Sequence, residues 1–351
     1  MHLLSNRKWT ERSEPVVDLV RAQKALGAQV IFVCGRSPEG GEPGVAFYAR
    51  RNGLDPVIAL KMPKHFRALP AFRDAAQLKK IIAEFRPSIV HCHMRNAHLV
   101  GSLANYRRNP LLVVRSCYNP DGPKNDFRSG LLYKHSTDGI IVINEFSKEK
   151  AISRYGFSSH STLIAEPGVD LYRFSPERKV PLARKDFGLR DDTFVVGVVS
   201  RIRQSRRIDI TLGALNLLAK RFPRLRLLII GRGRKGAVEE VVGSPSRVLG
   251  IADKVILPGY CHGDRLVAAY RAMDVLVYPV PGTDKTCRTV REALASGIPV
   301  IAPKIGFLPE LLENGVNGRF MDLSAQSLAN VLAGMISDQE KLCQMAQNAA
   351  R

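Results

Sequence analysis

Phe194-Val-Val-Gly-Val-Val-Ser200-Arg-Ile-Arg-Gln-Ser-Arg206-Arg207 is an apolar run that ends in a cluster of arginines. Apolar residues at consecutive positions are what a strand buried on both faces requires. Ile208–Phe222 comes next with the spacing of a helix, and Leu225–Ile230 is a second apolar run. A buried strand, a helix and another buried strand define a unit of a parallel sheet covered by helices. The same alternation runs in both directions. Strands are expected at 29–34, 88–93, 111–115, 139–143 and 162–164, and again at 254–257, 275–278 and 299–302. Helices are expected at 14–26, 75–85, 265–272 and 290–296. Arg201, Arg203, Arg206 and Arg207 sit where the strand ends and the helix begins. Guanidinium groups match phosphate oxygens bidentately, and a helix N-terminus adds its dipole, so an anion is expected among them, a solvated loop being the alternative.

The chain has 351 residues, enough for two domains. Hydrophobic residues make up 45% and charged residues 24%, which excludes a disordered chain. The net charge is +21, and it points to an anionic partner such as nucleic acid, a membrane or a phosphorylated ligand. The excess is spread over both halves with no basic tail, which weakens the nucleic-acid reading. No apolar run approaches the roughly 18 residues of a membrane span, and Met1–Thr10 does not resemble a signal peptide. The 6 cysteines lack any Cys-x-x-Cys spacing and suit free thiols in a reducing cytoplasm.

Around Phe174–Asp192 the alternation lapses. Ser175-Pro-Glu-Arg-Lys-Val-Pro181 carries two prolines and many charges and reads as a linker. The expected organisation is a first Rossmann-like domain over 1–175, a linker over 176–192, a second domain over 193–336 and a C-terminal helix over 337–351. Open parallel sheets bind ligands at the carboxyl ends of their strands, so two facing sheets imply a central cleft.

Gly231-Arg-Gly233-Arg-Lys-Gly236 comes directly after the strand at 225–230 and fits the dinucleotide fingerprint. That fingerprint wants an acid at the end of a second strand, whereas Asp253 precedes one. A nicotinamide site, a phosphate-proximal glycine turn and a plain turn all remain open. Asp284-Lys-Thr-Cys-Arg-Thr-Val-Arg-Glu292 places two carboxylates seven residues apart across a loop and a helix start. Such acids can hold sugar and ribose hydroxyls, and the amides near Thr286–Thr289 can meet phosphate.

The residues after Glu292 narrow the choice. Ala293-Leu-Ala-Ser-Gly-Ile-Pro-Val300, then Gly306-Phe-Leu-Pro-Glu310 and Asn314-Gly-Val-Asn-Gly318, resembles glycosyltransferase family 4, retaining sugar-nucleotide transferases of the GT-B fold. Tyr260 after Gly259 resembles the family's nucleobase loop, and Gly231-x-Gly233 its glycine turn. Arg201 and Arg206 resemble its diphosphate-binding pair. Ser88-Ile-Val-His91-Cys-His93 resembles its Asp-x-x-His-x-His. The likeness spans roughly 85–335. Departures are Asp284 for the family's first acid, Lys285-Thr286-Cys287 for Gly-Phe-Gly, and the polar Ser5–Arg12 for the N-terminal glycine loop. The family's Thr-x-His reads Arg115-Ser-Cys117. The chain also ends early for the helix that, in this fold, crosses back to the first domain.

The resemblance implies a retaining transfer from a UDP- or GDP-sugar, without a cofactor or obligatory Mg²⁺, in cell-surface glycan or lipopolysaccharide synthesis. His93, Arg201 and Arg206 are the implied catalytic residues. Gly231, Gly233, Tyr260, Asp284, Lys285, Thr286, Cys287, Arg288, Thr289 and Glu292 would bind the donor. Trp9, Thr10, Arg12 and Arg115 would border the acceptor. His93 would bond a sugar hydroxyl and, if charged, steady the leaving phosphate; a satisfied structural histidine at a strand end is the alternative. His91 is expected to turn away, and His98 either faces the same cleft or is a surface residue. Lys61–Arg73 mixes Lys64, Arg67 and Arg73 with Phe66, Leu69 and Phe72, which suits an anionic membrane surface or a basic loop covering a helix. The expected partners are therefore the nucleotide sugar, a lipid-linked or glycan acceptor and the cytoplasmic face of a membrane. An NAD-dependent oxidoreductase using Gly231–Gly236 and a basic polyanion-binding protein are the alternatives.

Overall fold

The structure, a computed structural model, describes residues 1–10, 13–36, 44–62, 67–105, 111–119, 121–166, 168–178, 184–280 and 287–350. It forms two units, Met1–Gly168 and Val169–Arg351. The first holds seven strands: β1 (His2–Leu4), β2 (Phe32–Gly35), β3 (Val57–Leu60), β4 (Ile89–His93), β5 (Leu112–Ser116), β6 (Gly139–Val142) and β7 (Thr162–Ile164). The second holds six: β8 (Phe194–Val199), β9 (Leu225–Ile230), β10 (Val255–Gly259), β11 (Val275–Val277), β12 (Val300–Pro303) and β13 (Gly318–Met321). The orders are β3-β2-β1-β4-β5-β6-β7 and β10-β9-β8-β11-β12-β13. Every pairing between these strands is parallel. Each unit is thus a doubly wound, Rossmann-like sheet. Strand order reverses at β1 and β4 in the first and at β8 and β11 in the second.

Alternation along the strands feeds cores on both faces of each sheet, two clusters in the second unit and three in the first. Leu227 and Ile229 enter one cluster of the second unit, and Leu228 and Ile230 enter the other. Helix Ile208–Leu218 is buried along most of its length because it lies between the sheet and helix Ala325–Ser337. In the first unit Leu3 faces one core and Leu4 the other. Helix Glu14–Ala25 covers the Leu4 face with Val16, Val17 and Val20.

The division between units falls seven residues before the expected end of the first domain. Phe174 is 0% exposed and meets Tyr270 edge-on inside the second unit. Phe187 and Leu189 join the same core. Arg184 donates to Asp274, 2.7 Å, and to the Thr193 carbonyl, 2.7 Å. Phe174, expected in the first domain, therefore belongs to the second unit, and the described linker residues Arg184, Phe187 and Leu189 are docked on it. Helix Gln339–Ala349 likewise seats Leu342 and Met345 in that unit's core.

Three strands escape the sequence reading. β1 is only three residues long, β3 is mostly half-exposed, and β13 carries Arg319 in its middle. Helix Ala68–Phe85 starts seven residues before its expected onset. Pro70 falls in its first turn, where a missing N–H costs no intrahelical bond. Leu69 and Phe72, at 61% and 62%, are exposed on its surface beside exposed Arg67 and Arg73, while Lys64 and Phe66 lie outside the described residues. Among the described residues no helix is long and apolar enough to cross a membrane.

Candidate functional site

In the second unit the loops after β8, β9 and β10 and the start of helix Arg288–Ala295 carry the expected donor residues. The loop after β8 exposes Arg201 and then makes a tight turn, Gln204–Arg206, in which Arg206 is buried. It is laced to the glycine turn after β9, since the Ile202 N–H donates to the Arg232 carbonyl, 3.0 Å. A Cβ on Gly231 would stand 1.8 Å from the Ser200 oxygen, and one on Gly233 would stand 2.8 Å from the Ile202 oxygen. These glycines therefore let one loop lie against the other, and Arg201 sits between those two contacts. Tyr260 comes directly after β10 and is 49% exposed, with the Arg232 guanidinium 4.8 Å from its ring centre. The nicotinamide fingerprint wants an acid at this strand end. An aromatic ring stands there instead, so that alternative loses its second half.

Helix Arg288–Ala295 opens on buried Cys287, whose φ is 43°. Thr289 is half-buried in the first turn. Glu292 is 5% exposed, with both carboxylate oxygens engaged. The Tyr270 hydroxyl donates to Oε2, 2.8 Å, and Arg288 Nε donates to Oε1, 2.6 Å. Burial, then the adjacent carboxylate, raises the Tyr270 pKa well above the phenol range, so Tyr270 keeps its proton and acts as donor. A carboxylate has lone pairs beyond these two, so a ribose hydroxyl could still be accepted. Asp284, Lys285 and Thr286 lie outside the described residues.

In the first unit, β4 ends at His93, which is 0% exposed. His91 does not turn away. Strand residues two apart share a face, and the two rings stand 4.2 Å apart. His2 on β1 joins them, pairing with His91 in register. The hydrogen bonds form a chain: Gln23 Oε1 to His2 Nε2, 2.6 Å; His2 Nδ1 to His93 Nε2, 3.0 Å; His93 Nδ1 to the Tyr118 hydroxyl, 3.0 Å. Gln23 Oε1 can only accept, so a neutral His2 carries its proton on Nε2 and offers a lone pair at Nδ1. His93 then donates from Nε2 and accepts from Tyr118. Burial foremost lowers His2 to about 4 and His91 to about 3, and with its imidazole neighbours holds His93 well below the usual range. His93 is therefore a neutral ring near pH 7.

Trp9 stacks on Tyr48 with ring centres 4.7 Å apart. The Thr10 hydroxyl accepts from Asn6 Nδ2, 2.7 Å, beside Ser13 at the start of helix Glu14–Ala25. Arg12 lies outside the described residues. Arg115 falls within β5, not in the loop after it, and donates to the Cys92 carbonyl, 3.1 Å. His98 is buried at 2%, bonded to Thr137 Oγ1 at 2.8 Å and beside Tyr133, which makes it a core residue. Three non-glycine residues at these sites have positive φ: Met94 (72°) after His93, Arg207 (51°) after Arg206, and Cys287. Sparsely populated backbone of this kind concentrates at functional sites. His2, Gln23, Tyr118 and Tyr270 belong to no motif, and nothing local in the sequence marks them.

Two Rossmann-like units with an arginine loop, a glycine turn and a buried helix glutamate place the chain in the GT-B fold class. The chain belongs to glycosyltransferase family 4. Residues 16–173 match the family described as Glycosyltransferase Family 4, and residues 180–351 match Glycosyl transferases group 1. It is similar to the D-inositol 3-phosphate glycosyltransferase of Actinosynnema mirum, 33% identical over 66% of this chain and 59% of that one. The Rhodococcus jostii protein of the same name is 31% identical over 75% and 62%. The chain spans between about half and two thirds of the length of such relatives. Among solved structures, Anabaena HepE in complex with UDP-glucose has a TM-score of 0.75 at 20% identity, covering 99% of this chain and 93% of HepE. A glycosyltransferase from Rickettsia africae has a TM-score of 0.79 at 16% identity, covering 99% and 91%.

Proposed function

We propose that this chain moves a hexose-type residue from a nucleoside-diphosphate sugar to an acceptor with retention of configuration. One observation carries the reading. The loop bearing Arg201 and Arg206 lies backbone to backbone on the Gly231–Gly233 turn, beside the exposed Tyr260 loop, with no room for a side chain at Gly231. A diphosphate finds fixed cations there, and a base finds an aromatic face. Fixed positive charge at a leaving diphosphate does what a divalent ion does elsewhere, without reorganising during reaction. In this reading Glu292 holds the ribose and Asp284 the donor sugar. Lys285, Thr286, Cys287, Arg288 and Thr289 frame the diphosphate and sugar, while Trp9, Thr10, Arg12 and Arg115 border the acceptor. The acceptor oxygen bonds to the anomeric carbon as its bond to the diphosphate breaks. The leaving phosphate takes the acceptor's proton, so no enzyme nucleophile is required. In this reading His93, neutral and fully buried with His2 on its Nε2 and Tyr118 on its Nδ1, is a positioning residue.

Crystallisation of HepE with UDP and UDP-glucose favours a uridine donor. The fold is also similar to a lipopolysaccharide outer core galactosyltransferase, TM-score 0.66, which favours a lipopolysaccharide-type acceptor. Thermal shift against UDP, GDP and their sugars tests the donor. A ligand at a hundred times its Kd adds about 2.7 kcal/mol of stability, and no shift with any of them rejects the reading. Exposed Leu69 and Phe72 among Arg67 and Arg73 support contact with anionic lipid at a cytoplasmic membrane face, at about 1 kcal/mol per basic residue. Sedimentation with anionic but not neutral liposomes, weakened by salt and by Arg67→Glu with Arg73→Glu, is expected. Equal failure with both lipids rejects the membrane part alone.

A further inference from the structure

Three imidazoles meet inside the first unit on one face of the sheet. One ligating nitrogen from each of His2, His91 and His93 lies within 4.8 Å of the others. Ring centres are 4.9 Å apart for His2 and His91, 5.3 Å for His2 and His93, and 4.2 Å for His91 and His93. On each ring one nitrogen is anchored by an oxygen. Gln23 Oε1 holds His2 Nε2 at 2.6 Å, Ser116 Oγ holds His91 Nε2 at 2.7 Å, and the Tyr118 hydroxyl holds His93 Nδ1 at 3.0 Å. Proteins hold histidine ligands in this way, with one nitrogen for the metal and the other fixed by an oxygen that sets the tautomer.

We propose that His2, His91 and His93 form a binding site for a zinc(II)-class transition-metal ion, with the fourth position open to water. Amide, serine and tyrosine oxygens can all accept a hydrogen bond. Every ring can therefore keep its proton on the anchored nitrogen and turn a lone pair inward. Relative to the metal-free chain, His93 changes tautomer. Its proton moves from Nε2 to Nδ1, and the Tyr118 hydroxyl hydrogen turns away. No ring gains or loses charge, so binding near pH 7 releases no proton from the three ligands. A tetrahedral ion with bonds of about 2.0–2.1 Å needs its nitrogens about 3.3 Å apart. His2 Nδ1 and His93 Nε2, at 3.0 Å, lie close to that spacing, and a ligand nitrogen of His91 lies within 4.8 Å of its neighbours. Three imidazoles with one open position suit zinc, while magnesium and calcium require oxygen ligands. The Arg115 guanidinium, held on the Cys92 carbonyl, opposes an added dication. The site therefore selects the ions that gain most from imidazole nitrogen, copper(II) and zinc(II) over manganese(II). None of this depends on the transfer reading.

The test is titration of the full chain, freed of metal by chelation, with zinc by calorimetry and with cobalt(II) by visible absorption. One equivalent is expected, with the intense ligand-field bands of a tetrahedral cobalt centre. His2→Gln and His91→Gln should each lower zinc affinity by at least about 100-fold, and Gln23→Leu by about 10- to 100-fold. His98→Gln, a buried histidine outside the cluster, should leave it unchanged. Folding is checked by circular dichroism. Gln23 is half-buried near the C-terminal end of helix Glu14–Ala25, so Gln23→Leu decides the matter if the histidine variants fail to fold. Absence of stoichiometric binding overturns the proposal. So does an equivalent that survives the cluster variants, or unchanged affinity in folded Gln23→Leu.

Discussion

Adding one methyl group at Gly231 should disable donor binding without any contact to the donor. The new Cβ would stand 1.8 Å from the Ser200 carbonyl oxygen, where ordinary contact is 3.4–4 Å. One backbone must therefore move by about 1.6 Å, since repulsion at such range has no soft response. Ser200 cannot yield freely. Its N–H is held by the Ile230 carbonyl at 3.0 Å, and two residues on the Ile202 N–H is held by Arg232 at 3.0 Å. Overpacking of this kind costs about 1–3 kcal/mol in stability. The larger effect falls on Arg201, which lies between those two anchors. A displacement of about 1 Å at a positioned group can cost about 100-fold in rate. Gly236→Ala is the control. It has φ of +80° and nothing within 4 Å of the added carbon. It should cost about 1–2 kcal/mol for left-handed backbone and leave UDP affinity within about twofold. Calorimetric UDP titration and donor turnover on both variants provide the assay. Parental affinity and turnover in folded Gly231→Ala, or equal losses in Gly236→Ala, would refute the argument that the turn acts by seating the arginine loop.

Arg201→Ala and Arg206→Ala should each slow transfer about 10- to 100-fold by removing one charged hydrogen bond, about 1.5–3 kcal/mol; turnover at the parental rate in folded variants removes these residues from the site. Tyr270→Phe should destabilise the chain by about 1.5–3 kcal/mol, because buried Glu292 then keeps only Arg288, and should weaken UDP binding several-fold; an unchanged urea midpoint would show that the Tyr270–Glu292 bond contributes nothing net. Acid should loosen the first unit. His2 and His91 accept protons only near pH 4 and 3 when folded, but near 6.5 when unfolded, so their stability contribution is complete above about pH 6.5. It falls as pH drops below that, by about 1.4 kcal/mol per unit per ring, and His2→Gln with His91→Gln should flatten the urea-midpoint profile between pH 6.5 and 4.

Much of the fold is legible because double burial leaves a plain mark. β8 and β9 are apolar at nearly every position, since their residues feed cores on both faces, and the bounds of both are read to the residue. The strands that escape lack that mark. β3 is mostly half-exposed, β13 tolerates Arg319, and β1 opens with a polar His2. The linker composition is also legible, but its attachment is not. Proline and charge signal an interrupted sheet, whereas the docking of Phe174, Phe187 and Leu189 depends on a surface built from residues up to 138 positions away, such as Leu312.

The site divides along the same line. Arg201, Gly231, Tyr260 and Glu292 each stand at a strand end or helix start, so local sequence with a strand count places them. What those residues do depends on partners distant in sequence. Glu292 is held by Tyr270, 22 residues away, and a spacing of two acids carries no trace of it. The histidines make the point most sharply. The interval from His91 to His93 is a local fact, and period two alone puts both rings on one face. That they meet His2 depends on β1 lying beside β4, a pairing across 91 residues. Once that pairing exists, the proton positions are no longer free. An acceptor at Gln23 fixes His2, His2 fixes His93, and His93 fixes the Tyr118 hydroxyl. The chemistry of the residue best marked in the sequence is thus set by one that the sequence leaves unmarked. A variant at Gln23, outside every motif of the family pattern, should alter His93 more than a conservative change beside it.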